Sequence, residues 1–301
     1  MERTAPLAAV LADLLLGEPP ARAHPTVWMG RLIGAGRRMR RNRYPGPSLV
    51  EGALLLAGGA ALSVGAGIAA ERLLRLVPRS VQGPARGLVL KPALSLRALL
   101  HAGAEVERAL AAGDLSEARR RLAWHLVSRD TADLSASEVV GATIESLAEN
   151  LGDALVAPLL AFRAGGLGGA YLYRFVNTCD AMLGYRTPEL EWFGKASARA
   201  DDVLNLVPAR LSALLIAAAA PLVGGDPREA LHRAFHDARR TPSPNAGWPM
   251  AAAAGALGVR LTKRGTYDLN SDARDPGPAD LRRTLRLIAA AGGLAALLVR
   301  A

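Results

Sequence analysis

Residues 49–70 form a nearly unbroken apolar run whose only charge is Glu51, near its start. About 20 such residues make a helix long enough to cross a hydrocarbon layer of about 30 Å. The run holds Gly52, Gly58, Gly59, Gly65 and Gly67, which would weaken a helix in water but allow close helix contact in lipid. Further spanning or membrane-inserted segments are expected near residues 5–17, 154–176, 203–225 and 285–300. The apolar stretch Ala251–Val259 is too short to span and reads as re-entrant or buried. Between these segments lie amphipathic helical stretches. Leu94–Leu126 places Leu96, Leu99, Leu100, Val106 and Leu110 at helical spacing, with a stop and restart at Gly113 and Asp114. No alternating strand pattern stands out. The expected fold is all-α: a polytopic integral membrane helical protein with amphipathic cytoplasmic helices, in a single membrane-embedded domain over residues 1–301.

Half of the 301 residues are apolar, yet only 4% are aromatic. The net charge is +10, and the basic residues are nearly all arginine, as expected of a GC-rich genome. Such a balance suits anionic headgroups or anionic substrates. Nucleic acid is not expected as a partner, since zinc spacings, recognition-helix signatures and aromatic stacking sets are all missing. A single cysteine, Cys179, leaves no internal disulfide or multi-cysteine metal site. At the amino terminus, Ala21 to Ala23 resembles a cleavage site, but Asp13 interrupts the preceding apolar stretch and only Arg3 precedes it. That stretch reads as a retained membrane-associated helix. Arg22, Arg31, Arg37, Arg38, Arg40, Arg41 and Arg43 mark residues 18–48 as cytoplasmic. The far side of the 49–70 run is basic as well, so either the run is a hairpin or the charge rule fails here.

The chemistry-bearing residues sit in short polar blocks directly against apolar runs, where uncompensated charge is expensive. Glu145, Glu149 and Asp153 are four apart and fall on one helical stripe. Like charges at that spacing call for a cation, and Ser146 and Asn150 add oxygen ligands suited to Mg²⁺. The same spacing also fits a solvated face paired by Arg129. Asn177 and Asp180 share a second helical face, and Asp201 and Asn205 a third, with Asp202, Lys195, Arg199 and Arg210 nearby. Carboxylates and amides could hold an ion there while Arg and Lys take phosphate oxygens; charged helix ends at an interface would give part of the same pattern. His24, followed by Pro25, is a candidate for catalysis or for a structural role. Ser243 and Asn245 lie in a constrained loop that is either a turn or a substrate mouth. No Walker-type glycine loop is present.

Taken in order, these blocks resemble the CobD/CbiB family of cobalamin biosynthesis, the adenosylcobinamide-phosphate synthases. The likeness runs from Asp13 to Pro19, through His24-Pro25, Met29 to Ile33 and Val127 to Thr131, which includes Arg129 and Asp130. It continues through Glu145 to Asp153, Asn177 to Tyr185, Phe193 to Asp202, Asn205, Pro208 to Arg210 and Ser243 to Pro249. Glu18 and Cys179 depart mildly from the family pattern. The resemblance implies a multi-pass protein of a bacterial or archaeal cytoplasmic membrane. It implies ATP- and Mg²⁺-dependent amide formation between a propionate of adenosylcobyric acid and aminopropanol or its phosphate. Membrane lipids and other cobalamin-pathway membrane enzymes are the further partners expected.

On that basis Asp201, Asp202, Lys195, Arg199 and His24 are expected to be catalytic. Asn150, Asn177, Asn205, Arg210, Ser243, Asn245, Arg129 and Asp130 are expected to bind substrate, and Glu145, Glu149, Asp153 and Asp180 to hold the metal. Two other classes compete: a Mg²⁺-dependent membrane prenyltransferase, and a non-catalytic corrinoid-binding partner or transporter.

Overall fold

A computed structural model describes residues 4–41 and 44–300; Arg43 of the basic segment lies outside them. The chain is helical almost throughout and divides into two compact units.

The first unit comprises residues up to Ser95, Ala157–Asn205 and the last few residues. It contains α1 (Ala5–Leu16), α2 (Pro25–Arg38), α3 (Pro45–Leu74) and α4 (Arg79–Leu90). The second unit comprises Leu96–Val156 and Leu206–Ala295, beginning with α5 (Leu96–Ala111), α6 (Leu115–His125) and α7 (Ala136–Leu151). The chain then returns to the first unit as α8 (Ala157–Leu183) and α9 (Lys195–Leu204). The second unit is completed by α10 (Leu206–Ala219), α11 (Pro227–Asp237), α12 (Gly247–Leu257) and a small hairpin, β1 (Leu261–Lys263) and β2 (Tyr267–Leu269). A last helix, α13 (Pro278–Arg300), ends the chain.

Close packing by small residues organises the first unit. α3 is one continuous helix of 30 residues, so the run expected at 49–70 is not a hairpin. Val50, Leu54, Leu62 and Leu73 are exposed along it, whereas Ser48, Gly52, Gly59, Ser63 and Gly67 are buried. A Cβ at Gly52 would lie 1.9 Å from the Phe193 carbonyl oxygen, one at Gly59 1.9 Å from the Phe175 ring, and one at Gly67 2.5 Å from Gly168. These glycines therefore let α8 and its neighbours lie against the α3 backbone. α8 bends at Gly165 and Gly166, the latter with φ +59°. Glu71 receives the Leu167 N–H at 3.1 Å and pairs with Arg86, which satisfies a donor freed by the bend. Asp13, which interrupts the apolar stretch of α1, is fully buried beside Lys91 at 3.5 Å.

Among the described residues three helical stretches are long and apolar enough to cross a membrane: Pro45–Leu74, Ala136–Leu183 and Leu206–Val223. α1 has only 12 residues, about 18 Å, and is too short. α13 is not among the three either; Arg282, Arg283 and Arg286 occupy its early turns, so the expected span near 285–300 is left with a short apolar remainder. The expected 203–225 segment starts on the break between α9 and α10, and its helix begins at Leu206.

In the second unit α12 is buried along nearly its whole length, as Ala251–Val259 suggested. Asp114 caps α6 by accepting the Glu117 N–H at 2.8 Å, which is the restart expected after Gly113. The hairpin is the departure from an all-helical reading. Its three-residue strands are too short to show alternation in sequence, and their register pairs Leu261 with Leu269 and Lys263 with Tyr267.

Candidate functional site

Each unit contains a polar centre. In the second unit it is built on α7. Ser135 and Glu138 form a reciprocal capping box at its start, and Arg264 from the hairpin turn pairs with Glu138. Ser146 donates to the Leu126 carbonyl at 2.7 Å, and Asn150 donates back to the Ser146 carbonyl at 2.8 Å and hydroxyl at 3.2 Å. Those contacts tie the loop after α6 to α7 and so present Arg129, whose guanidinium comes within 4.0 Å of Glu145. On the other side the hairpin contributes Lys263 and Tyr267. They are register partners and so share a face, while Leu261 and Leu269 on that face anchor the strands in the core.

The result is a cleft of about 190 Å³ lined by Arg129, Glu145, Ser146, Glu149, Lys263 and Tyr267, with Leu126, Val127, Ser128 and Ala142. Glu145 is only 6% exposed, and its Oε1 is buried with no hydrogen-bond partner. Burial, and then the charge of Glu145, hold the Tyr267 phenol well above its ordinary value, so it stays a donor. Glu149 is exposed. Asp153 lies where the helix widens into a π turn, Gly152–Val156, a feature frequent at functional sites, and it still acts on Glu149 electrostatically. Asp130 is exposed beside this cleft, accepting the Ala132 N–H at 2.9 Å to shape the loop.

In the first unit the centre lies between the second half of α8 and α9. Asp201 accepts from Asn205 at 2.9 Å through one oxygen and from Asn177 at 3.3 Å through the other. Tyr173 donates to the Asn205 oxygen at 2.9 Å, and Arg174 donates to the Asn177 oxygen at 3.3 Å and to the Ala93 carbonyl at 3.0 Å. Asn177, Asp201 and Asn205 therefore belong to one network, as their spacing suggested. Asp180 lies one turn beyond Asn177 on α8, packed tightly under Gly184. Lys195 sits 4.1 Å above the Trp192 ring and 3.7 Å from Glu191, and Arg199 pairs with Asp202 at 3.4 Å.

The other expected residues have more local duties. His24 accepts the Thr26 N–H at 3.2 Å as the cap of α2 and meets Glu18 at 2.8 Å. Glu18 also takes Lys91 at 2.8 Å. Arg210 reaches Asn245 at 3.3 Å and lies 4.8 Å over Trp248. Ser243 shapes its loop by accepting the Asn245 and Ala246 N–H groups at 3.2 Å each. Cys179 is buried. Among the described residues no three His, Cys, Asp or Glu side chains form a ready metal cluster.

Sequence reasoning passed over Lys263 and Tyr267, which carry no motif, and over Tyr173 and Lys91. Tyr173 stands four residues before Asn177 on α8, a spacing that puts both on one face. That was the one available signal.

The sequence matches the family described as CobD/Cbib protein over residues 6–288. It is 42% identical over 268 residues to a probable cobalamin biosynthesis protein CobD of Methanothermobacter thermautotrophicus, covering 87% of this chain and 85% of that one. A cobalamin biosynthesis protein CobD of Geobacter metallireducens is 44% identical, with 87% and 81% covered. Its counterpart in Klebsiella pneumoniae is 36% identical, with 95% and 93% covered. No solved structure gives a significant match. With this extent of likeness and three helices fit to cross a membrane, the chain belongs to the CobD/Cbib family of cobalamin biosynthesis proteins.

Proposed function

We propose that this protein is a multi-pass enzyme of the cytoplasmic membrane that joins aminopropanol or its phosphate to a propionate of adenosylcobyric acid, at the expense of ATP. The observation that carries this reading is the cleft on α7, where Arg129 and Lys263 share about 190 Å³ with Glu145 and Glu149. Charged reactants need such a lining. A prenyl-transfer site would need an apolar channel instead, and the side chains here are mostly polar.

The donors also suit Mg²⁺, which is usually bound by one or two carboxylates together with phosphate oxygens and water. Exposed Glu149 and nearby Asp153 would hold it in the second unit, and Asp180 is a separate candidate ligand in the first; once bound, the ion would neutralise phosphate charge. A carboxylate is a poor acylating agent. In the proposed course a propionate oxygen attacks the γ-phosphorus of ATP, ADP departs, and the amine then attacks the acyl carbon as phosphate leaves. The protein's work is positioning and charge neutralisation. Asp201, braced at both oxygens, and Asp202 would orient the phosphate-transfer partners. Lys195, held by Trp192 and Glu191, and Arg199, paired with Asp202, would turn to the transferring phosphate. Arg210 with Asn245, and Asn177 with Asn205, would contact substrate.

The test is purified protein incubated with adenosylcobyric acid, ATP, Mg²⁺ and each amine, with products read by mass. An ATP-dependent gain of one amide-linked amine is expected. Corrinoid binding without ATP turnover would overturn the enzyme reading in favour of a carrier, and consumption of prenyl diphosphate would overturn it in favour of a prenyltransferase.

A further inference from the structure

α2 presents faces of different character. Met29 and Ile33 are buried, and Gly30 lies against Met182 of α8. Elsewhere on the helix Trp28, Leu32 and Met39 are 52%, 36% and 74% exposed, and spacings of four and seven put them on one stripe. Arg31 and Arg38, also seven apart, form a second exposed stripe beside it. Neither guanidinium pairs with a described residue. The neighbouring arginines are taken up by the protein: Arg37 pairs with Glu189 at 3.0 Å, and Arg40 donates to the Glu189 carbonyl and lies 5.9 Å over the Phe193 ring. Trp28 donates its ring N–H to the Arg22 carbonyl at 2.9 Å, so its polar edge is satisfied and its apolar body faces outward. That combination suits a membrane–water interface.

The spanning helix α3 fixes the level of α2. Residues 39–44 alone join the two helices, and a Cβ at Gly36 would lie 2.5 Å from the Leu55 side chain. Leu55 stands six residues beyond Leu49, where the apolar run begins, about 9 Å along the helix axis. Amphipathic helices of the interface bury their apolar face about 5–10 Å into the headgroup and acyl boundary. Between these levels Glu51 accepts the Arg41 N–H at 3.2 Å, which ties the polar end of α3 to the chain leaving α2. We infer that α2 lies in the plane of the membrane interface and that Arg31 and Arg38 bind the phosphates of anionic diacyl phospholipids. Trp28, Leu32 and Met39 rest among the first acyl carbons, while the two arginines extend to the headgroups. Their charge complements the anionic cytoplasmic leaflet. The inference rests on the membrane placement and not on the ligase chemistry.

The test is the full chain reconstituted in phosphatidylcholine vesicles containing a minority of phosphatidylglycerol, with brominated acyl chains on one lipid or the other at equal mole fraction. Bromine quenches tryptophan on contact, and the wild-type signal minus that of Trp28→Phe isolates Trp28. Brominated phosphatidylglycerol should quench that difference more strongly, corresponding to a local preference on the order of tenfold. Arg31→Gln with Arg38→Gln should abolish the preference, whereas Arg31→Lys with Arg38→Lys should keep most of it. Arg228→Gln with Arg239→Gln, which removes two exposed charges from the second unit, should leave it unchanged. An independent reading is the phosphatidylglycerol retained per chain after detergent exchange, measured by mass, which should fall several-fold in the double glutamine variant. Equal quenching by the two lipids overturns the proposal, as does a preference that survives the glutamine pair or is lost equally in the second-unit control. Absence of Trp28 quenching by either lipid also overturns it, since the stripe would then face water or another protein. Amide formation alongside any of those results would leave the ligase reading standing; lipid preference without amide formation would do the reverse.

Discussion

Asp201 illustrates how much a single position depends on its neighbours. Both of its oxygens accept from amide groups, Asn205 at 2.9 Å and Asn177 at 3.3 Å. In Asp201→Asn one oxygen becomes an N–H₂ donor facing another donor, so the shape is kept while one contact turns repulsive. Turnover should fall by roughly 100-fold while membrane insertion and elution volume are unchanged; an Asn variant with normal product formation would remove Asp201 from the mechanism. Tyr173→Phe deletes the 2.9 Å bond to Asn205 and should lower stability by about 1 kcal/mol, read by thermal unfolding in detergent. The Asn177, Asp201 and Asn205 network could be anticipated because its spacings are helical and local. Lys263 could not: its role comes from a hairpin docked on a helix distant in sequence, and an isolated lysine carries no signal of that.

At the scale of the helix, the glycines of α3 separate into two classes by environment. A Cβ at Gly52 would strike the Phe193 carbonyl oxygen at 1.9 Å, and backbone cannot step aside; at Gly59 it would meet the Phe175 ring, which can turn in part. Gly58 and Gly65 have nothing within 4 Å. Gly52→Ala should therefore destabilise most, by about 1–3 kcal/mol, Gly59→Ala somewhat less, and Gly58→Ala not at all. Equal melting temperatures for the three would contradict the packing described. Ser135→Ala breaks the capping box of α7 and should cost about 1 kcal/mol, read by thermal unfolding in detergent. The length and glycine content of α3 announced a spanning helix. Which glycines face a partner depended on helix rotation, and five glycines spread over several turns do not specify one face.

At the scale of the molecule, acid acts on the second unit through two buried aspartates, Asp237 and Asp280. Burial alone would raise Asp237, but hydrogen bonds from His236 and the Asn270 N–H, with the charge of Arg240, hold it below its ordinary value. Asp280 is likewise lowered against burial by Arg274, the Gly277 N–H and Arg283. A depressed folded value means the unfolded chain binds the proton more readily. The stabilisation is thus complete above an unfolded Asp value of about 3.9 and disappears as pH falls through the lowered folded values. Melting temperature should drop steeply below about pH 4; Asp280→Asn should start lower and show a shallower acid drop, and an unchanged profile would refute the linkage. Hydrophobic patterning, charge placement and capping residues are local properties, so the sequence alone determined the helical class, the apolar segments, the restart at Asp114 and the ordered blocks that mark the family. Only the tertiary structure decided that α3 is a single helix and that a short hairpin completes the cleft. It likewise decided which carboxylates are braced and which is left half-satisfied, because these outcomes depend on rotations and long-range contacts that no local pattern encodes.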